Sequence, residues 1–450
     1  MTFLKSFLLT FLLLAGFNAT HSNFLQAQSV GDHIQPLDLD ILMNDITDEE
    51  LVLLGEASHG TSEFYTWRAE ISKRLITEKG FRFVAVEGDW PQFTRLNAYV
   101  KQLPGAPESI DAAFDELDRW PLWMWRNVEF RDFVEWLHQH NASLPLMDRV
   151  GLYGVDLYAK QKAMRDVQAW LRTIDSALER QASNAYRCLT RYSEIRQYLQ
   201  SVAQSGEDCR EDLIAVRDLI LNIDDDLLFG DIEDDGDDAV FIAIWNEFNA
   251  SQNAELVISA EEHFRGNLTQ GPQSWNARAR HFMQTTSRLL EFYMDTTGEP
   301  EKGIVWAHNT HIGDARATDM GQFNMVNIGQ LSRELLGHEN VFAIGFGTYE
   351  GSVLAASAWE GRMETMPVAP PADGTWEHLL ANSSELDEFY LNFSDESLRS
   401  ITSSMIPHRA IGVVFDPQMA ERNNFPASIP AERYNAFIFI RTTDVLESIP

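Results

Sequence analysis

The sequence predicts an α/β fold: a mainly parallel central sheet flanked by helices, with a large helical insertion. Two observations support this prediction. Short apolar runs alternate with helical patterns at both ends of the chain, which is typical of a parallel sheet crossed by helices. The block 159–299 has helical periodicity and little strand signal. The chain has 450 residues, and its apolar fraction of 44% and charged fraction of 23% are ordinary for a globular protein.

The first 27 residues resemble an export signal. Lys5 supplies a positive charge, and the apolar run Phe7–Gly16 that follows is shorter than a membrane span requires. Small residues that could precede a cleavage site are Ala19, Ser22 and Ala27. We expect 1–27 to be a signal peptide and the mature protein to be periplasmic or secreted. An uncleaved N-terminal anchor is the alternative.

The region 28–158 forms the first part of the predicted α/β catalytic domain. A strand at Leu51–Leu54 is followed by a helix from about Ser62, which ends at Gly80 because glycine commonly terminates helices. The next strand, Phe83–Val86, completes a βαβ unit, which implies parallel pairing and a right-handed crossover. A further strand is expected at Val150–Val155.

The helical block 159–299 is expected to form a separate subdomain that interrupts the α/β domain. It contains both cysteines, Cys188 and Cys209, which could form a disulfide in an oxidising compartment or remain free thiols. The α/β domain resumes over 300–450. Its expected strands are Gly303–Ala307, Val341–Phe346, Ala410–Phe415 and Ala436–Ile440.

The net charge limits the partners that the protein can bind. There are 35 lysines and arginines against 68 aspartates and glutamates, which gives a formal net charge of −33. Such an acidic surface repels nucleic acid and anionic lipid. We therefore expect no nucleic-acid partner and no membrane association once the signal is removed. We also expect a monomer.

Acidic residues and histidines follow the ends of several predicted strands. In an open α/β sheet the carboxyl ends of the strands lie at one edge, where ligands bind. We expect one pocket there, formed by Glu56, His59, Glu87, Asp89, Asp156, His308 and His311. Arg68, on the helix after His59, could face the same edge and bind an anionic or carbonyl oxygen.

These residue types favour a histidine that activates water, with a nearby glutamate orienting it. The chain lacks a Gly-x-Ser-x-Gly nucleophile elbow and neither cysteine follows a strand, so a covalent mechanism has little support. Two histidines three residues apart, with carboxylates, could instead bind zinc or iron. A buried structural polar network is the third interpretation.

Five segments resemble, in order and over about 45–445, the motifs of the erythromycin esterase family. They are Gly55-Glu56-Ala57-Ser58-His59-Gly60, Glu87-Gly88-Asp89-Trp90, Gly154-Val155-Asp156-Leu157-Tyr158, Ser274-Trp275-Asn276 with Arg278 and His281-Phe282-Met283, and His308-Asn309-Thr310-His311. The resemblance implies an α/β fold with a helical insertion and a deep cleft. It also implies hydrolysis of a small-molecule ester or lactone, in the best-known members a macrolide, without a metal or other cofactor.

The resemblance also assigns roles to residues. His59 is similar to the general base, Glu56 to its orienting partner, Glu87 to the second active-site carboxylate and Arg68 to the active-site arginine; His308 and His311 match the second histidine pair. The expected substrate-binding residues are Asp89, Trp90, Trp125, Asp156 and His281. The family's resistance enzymes are cytoplasmic, so the export signal leaves the substrate open. A metal-dependent hydrolase and a non-catalytic haem-, metal- or glycan-binding protein are the alternatives.

Overall fold

The computed structural model describes residues 27–230 and 237–449, so the predicted signal peptide lies outside the described residues except for Ala27. The strands are β1 Gln35–Pro36, β2 Leu51–Leu54, β3 Phe83–Asp89, β4 Gly151–Asp156, β5 Gly303–Trp306, β6 Val341–Ala356, β7 Met363–Val368, β8 Glu388–Asn392, β9 Ile406–Pro407, β10 Ala427–Ser428 and β11 Ala436–Thr443.

The α-helices lie between and around these strands. They are Leu39–Asp45, Ser62–Lys79, Trp90–Val100, Ile110–Phe114, Val128–Asn141, Lys160–Ile174, Ser176–Thr190, Ile195–Ser205, Arg210–Leu221, Asp225–Phe229, Asp237–Gly266, Gln273–Thr297, Asn309–Ile312, Ile328–Leu336, Trp376–Ala381, Glu396–Ile401, Ala420–Asn423 and Pro430–Arg433. Over 27–230 and 237–449, none of them is long and apolar enough to span a bilayer.

The main sheet has the strand order β1-β8-β11-β6-β2-β5-β3-β4, with β7 paired to β6. The six strands from β11 to β4 are parallel, whereas β1, β7 and β8 pair antiparallel. The predicted α/β class with a mainly parallel central sheet is therefore confirmed, with antiparallel strands added at one edge and on β6.

Alternate residues of the parallel strands face two apolar cores, because successive side chains of a strand point to opposite faces. On β2, Leu51 and Leu53 belong to one core, and Val52 and Leu54 belong to the other. All four are fully buried. Runs without polar positions, such as this one, are typical of a parallel sheet covered by helices on both faces.

The segment 160–297 is helical in its described parts and connects β4 to β5. Its helices share the first core with the sheet, since Tyr186 and Trp245 cluster there with Leu51. A disulfide joins Cys188 to Cys209, whose Cα atoms are 5.6 Å apart. A bridge closing a loop of this size stabilises a fold by about 3 kcal/mol. The division into two domains stays a prediction.

Two predicted strands differ from the structure. The expected strand Ala410–Phe415 is wrong: this segment makes only isolated bridges, from Ile411 to Ser58 and from Val414 to Ala356. Its apolar residues Ile411 and Phe415 pack instead in a small separate cluster with residues of β6 and β7. β3 continues past Val86 to Asp89 through an irregularity in its register, so Glu87 is a strand residue.

Candidate active site

The strand order brings the predicted site residues together. β5 lies between β2 and β3, and β4 lies beyond β3, so their carboxyl ends are adjacent. A cavity of about 590 Å³ opens at this edge. Its walls include the predicted site residues His59, Glu87, Asp156, His308 and His311. The remaining lining residues are Arg119, Pro121, Met124, Tyr158, Trp275, Arg278, Thr310, Asp319, Trp359, Ala410, Gly412, Val413, Arg422, Asn423, Phe425 and Pro426.

The turn after β2 fits closely against the turn after β5. A Cβ atom on Gly55 would overlap the side-chain oxygen of Asn309, and one on Gly60 would overlap the carbonyl of Leu354. The backbone N–H of Asn309 donates to the backbone carbonyl of Glu56 at 2.9 Å. Glycine at both ends of the turn therefore lets it approach its neighbours closely enough to fix Glu56 and His59.

His59, Glu56 and Arg68 form a buried chain. Nδ1 of His59 lies 2.7 Å from Oε1 of Glu56, and Nη2 of Arg68 lies 2.8 Å from Oε2 of the same carboxylate. Glu56 and Arg68 are fully buried, whereas His59 is 8% exposed. The Arg68 guanidinium also lies over the rings of Tyr65 and Trp306, at 4.3 and 5.0 Å. Arg68 thus holds Glu56 and does not line the cavity.

The pKa of His59 is raised above its ordinary value. Burial by itself lowers this pKa, but the hydrogen bond and the negative charge of Glu56 outweigh burial, and Glu87 adds to the rise. With Nδ1 engaged by Glu56, Nε2 is the nitrogen left to accept a proton. This geometry suits a general base held in one tautomer by a carboxylate.

Arg278 connects three other residues of the cavity. It donates to both carboxylate oxygens of Asp156, at 2.9 and 2.6 Å, and to Oε1 of Glu87 at 2.8 Å. A third contact joins its Nη1 to Nε2 of His311 at 3.1 Å. Two carboxylates and an imidazole therefore fix the orientation of one largely buried guanidinium.

The carboxylates of this group stay ionised. Burial by itself raises the pKa of Glu87. The nearby His311 and Arg278 outweigh burial and hold this pKa well below its ordinary value. Burial also raises the pKa of Asp156, and Arg278 reverses this so that the net shift is downward. Oε2 of Glu87 accepts the backbone N–H of His308 at 3.0 Å. Glu87 thereby joins the ends of β3 and β5.

His308 begins the short helix Asn309–Ile312. Its Nδ1 accepts the backbone N–H of Thr310 at 3.2 Å, which puts the proton of a neutral ring on Nε2. Burial, followed by the charge of His59, holds the pKa of His308 well below its ordinary value. Its ring centroid is 5.0 Å from that of His59. His308 is therefore a neutral ring beside His59, with its Nε2 buried.

His311 is held by stacking. Its ring lies 4.7 Å from Trp275 and nearly parallel to it, at 8°, and Phe282 packs at 5.2 Å. Nε2 of His311 lies 3.1 Å from Nη1 of Arg278 and 3.3 Å from Oε1 of Glu87, so it faces both a donor and an acceptor. His308 and His311 thus differ: Nε2 of His308 is buried without a partner, whereas Nε2 of His311 meets Arg278 and Glu87.

Several predicted substrate-binding residues lie behind the cavity wall. Trp90 is 1% exposed and stacks on Tyr153 at 5.4 Å in an apolar core. Trp125 is buried and donates its indole N–H to the backbone oxygen of Glu87 at 3.2 Å. Both tryptophans support the site through packing, because their large apolar surfaces are taken up by the core.

Asp89 and His281 are also buried behind the wall. Asp89 pairs with Arg119 and accepts the backbone N–H of Tyr158 at 2.6 Å. Burial lowers the pKa of His281 to about 4, so this ring is neutral. Of the five expected substrate-binding residues, only Asp156 lines the cavity, and there it holds Arg278.

Glu56, His59 and Glu87 could supply metal ligands, since their ligand atoms lie within 4.8 Å of one another. Both carboxylates are already engaged, however. Glu56 pairs with His59 and Arg68, and Glu87 pairs with Arg278. A cation here would have to displace these partners, so the donors fit a hydrogen-bonded network better than a coordination shell.

The sequence reasoning assigned no role to Arg278, Trp275, Tyr158 or Arg119, all of which line the cavity. Arg278 and Trp275 lie on Gln273–Thr297, the last helix of the helical insertion. Arg278 belongs to the family-like motif that begins at Ser274, and this motif is the sequence signal that could have indicated its role. Which face of this helix meets the sheet depends on packing that one sequence does not reveal.

Comparison with solved structures supports the fold. A succinoglycan biosynthesis protein is similar, with a TM-score of 0.73 and 20% identity, covering 94% of this chain and 97% of that one. A Bacillus cereus protein has a TM-score of 0.74 and 16% identity, covering 95% and 99%. A histidine-to-asparagine mutant of erythromycin esterase EreC, in its open conformation, has a TM-score of 0.61 and 14% identity, covering 92% and 97%.

A sequence-family profile extends the comparison beyond the fold. The profile described as erythromycin esterase matches residues 76–443, which is most of the chain. The match contains Glu87, Asp156, Arg278, His308 and His311. The resemblance that the motifs indicated is therefore confirmed, and the chain belongs to the erythromycin esterase family.

Proposed function

We propose that this protein is an exported hydrolase that cleaves an ester or lactone with water activated by His59, without a metal. Family membership supports the coarser statement, a hydrolase of the esterase type acting on a small molecule. The observation that carries the finer one is the 2.7 Å contact of His59 with Glu56, which Arg68 holds from its other side.

The reaction begins with a water molecule beside His59. Nε2 of His59 removes a proton from the water while the water oxygen attacks the carbonyl carbon. Glu56 stabilises the imidazolium that forms. The guanidinium of Arg278 stabilises the negative charge that develops on the tetrahedral intermediate. As the C–O bond breaks, His59 returns the proton to the leaving alkoxide. An acid and an alcohol result, or a hydroxy acid from a lactone.

Glu87 and His311 keep this arrangement in place. The Glu87 carboxylate accepts from Arg278 at Oε1 and from the backbone N–H of His308 at Oε2. Nε2 of His311 contacts Arg278 and Glu87, and its ring stacks on Trp275. Both act as positioning residues, since their contacts fix Arg278, which stabilises the oxyanion.

A metal-dependent hydrolase is the second candidate, because Glu56, His59 and Glu87 offer ligand atoms within 4.8 Å of one another. Chelation distinguishes the two candidates. If His59 activates water without a metal, we expect full activity after dialysis against EDTA. Activity lost on dialysis and restored by one metal, with that metal bound stoichiometrically, would support the second candidate.

A substrate panel tests the proposed function. It contains short alkyl esters, arylalkyl esters, simple lactones and a macrolide lactone, each incubated with the purified protein and followed by acid release. We expect hydrolysis of at least one class, with turnover lost in His59→Ala. The absence of hydrolysis across the panel would contradict the proposal and favour a binding protein.

The pH profile follows from the pKa of His59. Only neutral His59 can take a proton from water, and Glu56 raises its pKa above the ordinary value of about 6.5. We expect kcat/KM for a neutral ester to be low in acid and to rise through a midpoint above 6.5. Replacing Glu56 with Gln should move the midpoint down. A midpoint below 6.5 in the wild type would contradict this assignment.

Export is part of the proposal. The N-terminal pattern supports it, and so does the Cys188–Cys209 disulfide, since such bonds persist in oxidising compartments. The net charge of −33 suits a monomer without nucleic-acid or membrane partners. Cell fractionation and N-terminal sequencing of the mature chain check it. A cytoplasmic protein that keeps its first residues would contradict it.

A further inference from the structure

Part of the cavity is built by an arm that the family motifs do not include. Beyond Gly351, β6 no longer pairs with β11. Its residues Gly351–Ala356 pair instead with Met363–Val368 of β7. We call Gly351–Val368 the β6–β7 arm. It has its own apolar cluster with the segment 408–426, formed by Val353, Ala355, Met366, Val368, Ile411 and Phe415. The arm and this segment are therefore packed together as one wall.

Trp359 lies in the turn of this arm and lines the cavity. It is 59% exposed, an unusual state for the largest apolar side chain. Trp120 fixes its position: the two rings are 4.7 Å apart, and the Trp120 indole donates to the carbonyl of Gly361 at 3.1 Å. The turn thus holds an aromatic surface open at the cavity.

The segment 408–426 adds a second aromatic surface. Phe425 lines the same cavity and has Arg409 over its ring at 5.4 Å. Pro426 and Val413 extend this apolar wall. The catalytic groups, by contrast, are charged or polar. An ester that fits this cavity has a polar scissile group and an apolar part that reaches the arm.

We propose that Trp359 selects substrates with an aromatic ring near the ester group, so that arylalkyl esters are the preferred class. An aromatic ring binds an exposed indole more strongly than a saturated ring of the same size does, because the positive edge of one aromatic ring attracts the negative face of the other. The inference rests on the proposed function, since it names the substrate class of the same site.

The experiment compares two esters with similar leaving alcohols, benzyl acetate and cyclohexylmethyl acetate. The ratio of their kcat/KM values is measured for the wild type, Trp359→Ala and Trp359→Phe. We expect Trp359→Ala to reduce the ratio by about two- to tenfold, mainly through KM, and Trp359→Phe to keep most of it. Leu227→Ala removes another exposed apolar side chain, on the helix Asp225–Phe229, and should leave the ratio unchanged.

A binding measurement separates failure of this inference from failure of the proposed function. N-benzylacetamide and N-(cyclohexylmethyl)acetamide are the matching amides, and ligand-observed NMR gives their affinities without turnover. An inactive protein that binds the benzyl amide more tightly, through Trp359, would overturn the hydrolase and keep the aromatic site. Equal ratios and equal affinities in the wild type and Trp359→Ala, with melting temperatures unchanged, would overturn the inference.

Discussion

Replacing His59 with Ala is expected to lower kcat/KM by about 10² to 10⁴ while the fold is retained. A positioned general base contributes a factor of this size. His59 presents Nε2 to the cavity and binds Glu56 through Nδ1, so no other described side chain makes both contacts. Steady-state kinetics on the best panel substrate, with circular dichroism to check folding, measure the effect.

Two controls make this result specific to proton transfer. His378→Ala removes a surface histidine paired with Asp373 and should leave kcat/KM unchanged. Added imidazole should restore part of the activity to His59→Ala, because a small base can occupy the space of the lost ring. Wild-type activity in His59→Ala would rule out the base assignment, and a loss without rescue would favour a structural role.

Much of the fold could be predicted from local sequence. The runs at β2, β3, β4 and β5 have no polar position until their ends, which is typical of strands buried on both faces. Glycines and the helix between β2 and β3 indicated a parallel crossover. β8, β7 and the extension of β6 were not predicted, because their patterns mix exposed and buried positions and depend on non-local partners.

The candidate site was predicted to a similar degree and for a similar reason. Residues at strand ends converge in any parallel sheet, so His59, Glu87 and His308 could be placed together from the sequence. Trp90 and Trp125 could not be placed, because an aromatic residue near a motif packs in the core as readily as it lines a cavity. Arg278 reaches the site from a distant helix, and only tertiary packing reveals it.

Arg68→Met is expected to have the largest effect on stability. The substitution leaves the Glu56 carboxylate fully buried without its cation, and breaking a buried pair in this way costs about 3–5 kcal/mol. Thermal or denaturant unfolding should show this loss, and kcat/KM should fall because Glu56 no longer holds His59 in place. Lys73→Met is the matched control: Lys73 and Glu70 form a surface pair 26% and 46% exposed, worth at most about 1 kcal/mol.

The double variant Arg68→Met/Glu56→Gln separates charge from packing. A neutral amide needs no counter-ion, and replacing a buried pair by uncharged groups of similar volume is often close to neutral in stability. Much of the lost stability should therefore return. Activity should not, because Gln cannot stabilise the protonated His59 as a carboxylate does. If the double variant is as unstable as Arg68→Met, the loss comes from the contacts of Arg68 with Tyr65 and Trp306 instead of from the unpaired charge.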